Sequence, residues 1–288
     1  MEAFERDIYA HYFKIGHFRP MPNAPTDISL DALIEKYEAF FFDAFGTFYC
    51  RGEVLYPGAL EMYQKVRASG KPMRLVTNAA SSAIPQFVES LKRMNIPFEE
   101  SEIISSGGLF SHFAKEKGIH EAFYIGRPGG VAFLKEGDVS VSDSPSENTV
   151  IISSVAENQK LLDRAKEILS CPGAKLIVLN PDAWAPRMQG AREGVSGCEA
   201  HKLFLERHPE TFYLGKPFYP IFEKALQSLP GKLKTVMVGD TLATDIGGAL
   251  NAGIDAALLI GRNQPAAELK SDEAFLKTRP TYYLRLGK

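Results

Sequence analysis

An α/β fold built on a doubly wound parallel sheet is what this sequence predicts, and three observations predict it. Short continuous apolar runs, AFFF at 39–42, LV at 75–76 and VMV at 236–238, each stop at small or polar residues that open a turn. Strands buried on both faces read this way. Stretches with helical spacing alternate with these runs, as in strand–helix–strand units. The residues that close the runs, Asp43, Thr77 with Asn78, and Asp240, are chemically useful types. Parallel strands share polarity, so such residues line one edge of the sheet, where open α/β sheets bind ligands.

Residues 1–28 mix aromatic and charged side chains and end in RPMPNAPTD, which reads as an N-terminal arm. SLDALIEKYE (29–38) spaces Leu30, Leu33, Ile34 and Tyr37 as a short helix leading into the Asp43 strand. In PGALEMYQKVRASG, Pro57 suits a helix start and Gly70 a helix stop. PMRLVTN is the second strand, residues 81–94 are helical, and Ile103 and Ile104 mark a third strand. From about 117 to 206 the texture changes: AFYIG, TVIISSV and AKLIVLN are strand-like and NQKLLDRAKEILS is an amphipathic helix. GRPGG and SVSDSPSEN separate them, and Asn180-Pro181-Asp182 closes the last strand. Periodicity leaves open whether this stretch continues the sheet or forms an inserted module. From Phe212 the first pattern resumes, with YLGKP, the helix YPIFEKALQSL, the strand KTVMVGD, the helix ATDIGGALNAG and the strand DAALLIG.

With 288 residues, 45% of them hydrophobic, the chain buries a sizeable core. A net charge of −2 and a pI near 6.3 give no support for a nucleic-acid or membrane-surface protein. Cys50, Cys171 and Cys198 are odd in number and widely spaced, neither a disulfide framework nor a zinc knuckle, so a reducing, cytoplasmic compartment is the expectation. The first residues carry charges throughout, without the apolar run of a signal peptide, and no stretch is long and apolar enough to span a membrane.

Asp43, Asp240 and Asp245 are three carboxylates at or just after strand ends. Hard oxygen ligands clustered there suit Mg²⁺, which takes one or two carboxylates, waters and a substrate phosphate. Asp245 also stands where a helix N-cap would. Lys216, between a glycine and a proline, offsets negative charge if it faces the same edge; otherwise it is a solvated lysine. Thr77 and Asn78 offer a hydroxyl and a backbone N–H to phosphate oxygens, or serve ordinary turn chemistry.

FFDAFGT, LVTN, GKP and VMVGDTLATDIGGALNAG resemble, in that order, the four motifs of the haloacid dehalogenase-like (HAD) hydrolases. The long insert between the Thr-Asn and Lys motifs looks like the type 2 cap of class IIA members, the branch of p-nitrophenylphosphatases, pyridoxal phosphate phosphatases and sugar phosphatases. The resemblance implies a Rossmann-like core over 29–116 and 207–288, an inserted α/β cap over 117–206 that selects the substrate, and a Mg²⁺-dependent phosphatase acting on a small phosphorylated metabolite. It further implies that Asp43 attacks phosphorus to form an aspartyl-phosphate and that Lys216 neutralises Asp43 and the phosphoryl oxygens. Thr77 and the Asn78 backbone would bind phosphate. Asp43, the Phe45 carbonyl, Asp240 and Asp245 would hold the metal, and copies would pair through their caps.

Position 45 departs from the pattern. Phosphatases of this family carry a second Asp there, which protonates the leaving oxygen and then activates water; phenylalanine moves no proton. A positioned acid–base group is worth roughly 10²–10⁴-fold. Three outcomes are open: another group does the job, the leaving group needs no acid, or the chain is a phosphometabolite-binding or regulatory protein with little hydrolysis. An aromatic residue here also resembles the haloacid dehalogenases, but those lack the Asp240–Asp245 pair. Trp184, Arg187 and Arg192 follow the Asn-Pro-Asp turn and are candidates for leaving-group contact or for structural and solvated roles. His201, near the return from the insert, is the histidine to test as a stand-in proton donor, and Cys50 reads as a packing residue.

Overall fold

The computed structural model describes residues 3–16, 18, 24–50, 52–186, 192–262 and 267–286. Its organising element is the strand Ala39–Phe42, whose four residues are all fully buried. Alternation sends Ala39 and Phe41 into one apolar cluster and Phe40 and Phe42 into another, on opposite faces of the sheet. The run is therefore apolar without interruption because both faces are covered. Burying each phenylalanine contributes about 1.5–3 kcal/mol.

Seven parallel strands form the first sheet, in the order Thr26–Ile28, Tyr282–Leu284, Asp255–Leu259, Thr235–Gly239, Ala39–Phe42, Met73–Thr77, Ile103–Ser105. From Ala39–Phe42 the chain winds outward through Met73–Thr77 and returns later on the other side through Thr235–Gly239. The order reverses at that point, and the crevice it opens lies beyond Asp43 and Asp240. Phe42 pairs with Val238 and with Leu75, and the Asp43 N–H donates to the Val238 carbonyl (3.0 Å). The sheet's own ladder thus fixes where Asp43 stands.

Between the strands Ile103–Ser105 and Thr235–Gly239 the chain builds a second parallel sheet of five strands. Their order is Glu210–Tyr213, Lys175–Val178, Thr149–Ile152, Glu121–Ile125, Ser140–Val141. The stretch of changed texture is therefore a separate sheet rather than more of the first. Its edge strand, Glu210–Tyr213, lies beyond residue 206, where the sequence placed the return to the first sheet. Thr211 to Tyr213 pair with Leu176 to Val178.

The first 28 residues are more than an arm. Ala3–Ile15 is a helix with Ile8, Tyr9 and Tyr12 buried, and Thr26–Ile28 is an edge strand paired with Tyr282–Leu284. The helix spans both layers. Arg6 is paired with Asp272 (3.2 Å) and the Phe13 ring lies over Gly247 on the first-sheet side, while the Tyr12 ring meets Tyr213 edge-on at 4.9 Å on the other. Among the described residues no helix is long and apolar enough to cross a membrane.

Candidate active site

The edge of the first sheet gathers what the sequence placed there. Asp43, Asp240 and Asp245 are buried, and one oxygen of each lies within 4.8 Å of the others. The Lys216 ammonium donates to Asp43 Oδ1 (2.5 Å) and to Asp245 Oδ1 (2.6 Å), with 2% of its side chain exposed. The other Asp245 oxygen, Oδ2, accepts from the backbone N–H groups of Asp240 (3.1 Å) and Thr241 (3.0 Å). Asp245 therefore does cap backbone, but the turn behind it rather than the helix ahead, and its second oxygen remains free for the lysine. The helix at this point begins as a π-type turn over Leu242–Ile246.

Asn78 clamps the lysine loop from the side. Its Oδ1 accepts from the Lys216 N–H (2.7 Å), and its Nδ2 donates to the Lys216 carbonyl (3.0 Å) and to Asp182 Oδ1 (2.8 Å). Gly215 is required beside it, since a Cβ there would sit 2.3 Å from Asn78 Oδ1. Thr77 is buried, and its Oγ1 accepts from the Ala79 N–H (3.3 Å).

Three carboxylates share one ammonium in a place with little water. Burial pushes the Asp43 carboxyl up to about 7; Lys216 opposes this and Asp245 adds to it. Asp240 is pushed well above the carboxylate range by burial, then by Asp245 and Asp43. Burial pulls on the Lys216 ammonium in the opposite sense, but Asp245 and Asp43 outweigh it and hold the group protonated. Among the described residues no hydrogen-bond donor reaches Asp240 Oδ2, which is buried. An orphaned carboxylate oxygen among excess buried negative charge fits a bound divalent cation.

Gly46 makes room for this cluster. Its φ is +100°, and an added Cβ would lie 2.3 Å from Asp240 Oδ2. Gly46→Ala is expected to cost about 1–3 kcal/mol in backbone strain and to displace the Asp240 carboxylate. Urea unfolding and metal titration of the variant check both effects.

A cavity of about 510 Å³ opens over the cluster, lined from the first sheet by Asp43, Phe45 and Lys216, from beyond the strand ends of the second by Arg127 and Asp182, and from a two-stranded antiparallel ribbon, Trp184–Pro186 with Arg192–Gly194, by Trp184. Phe45 is half-buried, with its ring edge-on to Tyr49 at 5.6 Å. The structure thus brings Asp43, Phe45, Thr77, Asn78, Lys216, Asp240 and Asp245 to one cavity. His201 is not among them. It is buried between Phe4, His11 and Phe204, and burial, with His11 adding, lowers its imidazole to about 4. His201 therefore does not serve as a stand-in proton donor at this cavity. Cys50 is buried and does not line the cavity. Arg187 lies outside the described residues, as does the side chain of Arg192. Among the lining residues that escaped the sequence reading as site residues are Arg127, in what read as a loop, Asp182, visible only as part of a turn, and Tyr9, in the supposed arm.

Residues 40–140 match the family model of haloacid dehalogenase-like hydrolases, and residues 213–285 match a second HAD-hydrolase-like model. The chain is 27% identical over 229 residues to the 5'-nucleotidase YutF of Bacillus subtilis, covering 78% of this chain and 88% of that protein. It is 26% identical over 252 residues to an acid sugar phosphatase of Staphylococcus haemolyticus, covering 86% and 93%. The crystal structure of a possible sugar phosphatase of the HAD superfamily from Cytophaga hutchinsonii superposes with a TM-score of 0.80 at 24% identity, covering 91% of this chain and 98% of that one.

Proposed function

This chain belongs to the haloacid dehalogenase-like hydrolases, and we propose that it is a class IIA phosphatase whose Asp43 carries the phosphoryl group of a small phosphate monoester. The observation that supports this most is the buried cluster in which Lys216 joins Asp43 to Asp245 beside the unpaired Asp240 oxygen.

In this reading Asp43 Oδ2, the oxygen not held by Lys216, attacks phosphorus. The ammonium opposes the upward pull of burial on the Asp43 carboxyl and faces the charge that accumulates on the phosphoryl oxygens, the main requirement of phosphoryl transfer. Thr77 Oγ1 and the backbone at Asn78 hold those oxygens. Asp43, Asp240, Asp245 and the Phe45 carbonyl would hold Mg²⁺. The ion, when bound, neutralises phosphoryl charge. The second sheet, as the cap, contacts the alcohol part of the ester, and the relatives' names direct the first assays to sugar phosphates and nucleotides. Pairing through the cap is part of the same reading, and sedimentation of the purified chain tests it.

The experiment is a panel of phosphate esters, p-nitrophenyl phosphate included, assayed with Mg²⁺. Turnover above background is expected, and its absence across the panel overturns the assignment. Chelation is expected to abolish turnover and Mg²⁺ to raise the thermal midpoint; Asp240→Asn should lose both responses. Phe45 favours one second reading, a phosphometabolite sensor. Tight Mg²⁺-dependent ligand binding without phosphate release would establish that instead.

A further inference from the structure

With Phe45 in the cavity, the proton for the departing alcohol has to come from elsewhere. We propose that Asp182, presented by the second sheet and held in place by the N-terminal helix, is the general acid and base of this enzyme. The inference rests on the phosphatase reading above.

Elimination among the cavity's lining groups leads to it. Lys216 holds Asp43 and Asp245, and Asp240 lies with them in the carboxylate cluster assigned to the metal. Glu53 accepts hydrogen bonds from Arg93 and Ser90, chiefly Arg93, which hold its carboxyl below the usual range, so it carries no proton to give. Burial raises the Tyr9 and Tyr49 hydroxyls well above their ordinary value. Among the described residues no histidine lines the cavity. Asp182 remains. Its Oδ1 accepts from Asn78 Nδ2 (2.8 Å), and among the described residues no donor reaches its Oδ2.

A general acid must also be held still, and this one is pinned on both sides. Tyr12 Oη donates to the Pro181 carbonyl (3.1 Å), and the Ala183 N–H donates to Tyr9 Oη (3.3 Å). The Asp182 N–H donates to Asn180 Oδ1 (3.0 Å), and its carbonyl accepts from the Gly197 N–H (3.0 Å). The two tyrosines come from the helix Ala3–Ile15, which is itself tied to the first sheet's layer through Arg6 and Asp272. The charged and titratable groups around Asp182 are Lys216, Asp245, Asp43 and Asp240 on the first-sheet side and Tyr9 and Tyr12 on the helix. Burial lifts its carboxyl to about 6; Lys216 and Asn78 oppose the lift and Asp245 adds to it. That value lies where both protonation states are accessible near neutrality.

The steps balance. As the Asp43–phosphorus bond forms, the bond from phosphorus to the alcohol oxygen breaks. That oxygen keeps the electron pair and takes the Asp182 proton. In the second half the Asp182 carboxylate takes a proton from water as the water oxygen bonds phosphorus. The phosphorus–Asp43 bond breaks, and both carboxyl groups return to their starting states.

The test compares kcat/KM for alkyl and nitrophenyl phosphates in the wild type and in Asp182→Asn, which keeps an oxygen for Asn78. An alkoxide needs a proton to leave and a nitrophenolate scarcely does. The variant is expected to lose about 10²–10⁴-fold on alkyl esters and at least tenfold less on p-nitrophenyl phosphate. Adding Phe45→Asp to the variant should restore part of the alkyl activity. Equal losses on both esters, or none on either, overturn the proposal. The wild type supplies a readout independent of the variant's folding: log kcat/KM should depend weakly on leaving-group pKa, and a steep dependence also overturns it. A wild type inactive on every ester, nitrophenyl included, defeats the phosphatase reading itself.

Discussion

Asp43→Asn is expected to lower turnover by at least about 10⁴-fold, the scale on which removal of a nucleophile acts, while making the metal-free protein more stable. The second effect follows from the direction of the Asp43 shift. Its carboxyl is held at about 7 in the folded chain, above its ordinary value near 3.8. A carboxyl raised on folding contributes stability that is complete below the unfolded value and is lost as pH rises through the folded one. Above about pH 7 the wild type must therefore bury an ionised Asp43 at a cost, and asparagine removes that cost. Thermal unfolding in the presence of a chelator should show the variant ahead of the wild type above neutrality, with the advantage shrinking as pH falls toward the ordinary carboxylate range.

Lys216→Met should move stability the other way. Among the described residues the lysine is the one cation paired with both Asp43 and Asp245. Removing one partner of a buried ion pair typically costs about 3–5 kcal/mol, because the charge left behind is uncompensated. Activity should fall by about 10²–10³-fold, as for other groups that face transition-state charge. Urea unfolding with chelator present checks the first figure, and kcat/KM on p-nitrophenyl phosphate the second. Both changes remove one charge from the same cluster, and only the excess of negative charge explains opposite signs in stability.

Much of this site could be read from the chain because its residues sit at the ends of strands buried on both faces. AFFF, LVT and VMVG leave few alternatives to a parallel core strand. Once strands are parallel, Asp43, Thr77 and Asp240 fall on one edge without further assumption. The edge strands were less legible. Thr26–Ile28, Tyr282–Leu284 and Glu210–Tyr213 are three or four residues long, and Thr26–Ile28 is exposed or half-buried, so no long apolar run announces them. Asp182 was visible as a turn, but what makes it a candidate acid is remote. Its supports, Tyr12 and Tyr9, stand 169 and 174 residues from their partners in the turn. No local pattern reports such a contact. The helix that carries them hid in a mixed aromatic and charged segment because its buried face is largely tyrosine rather than aliphatic.

The most direct measurement is an acid quench of the working enzyme with phosphorus-labelled ester, followed by mapping of the label. One phosphoryl group should appear on the peptide containing Asp43, in the wild type with Mg²⁺, and be absent with chelator or in Asp43→Asn. Full turnover by an Asp43→Asn enzyme, or label residing on any other side chain, would contradict the account.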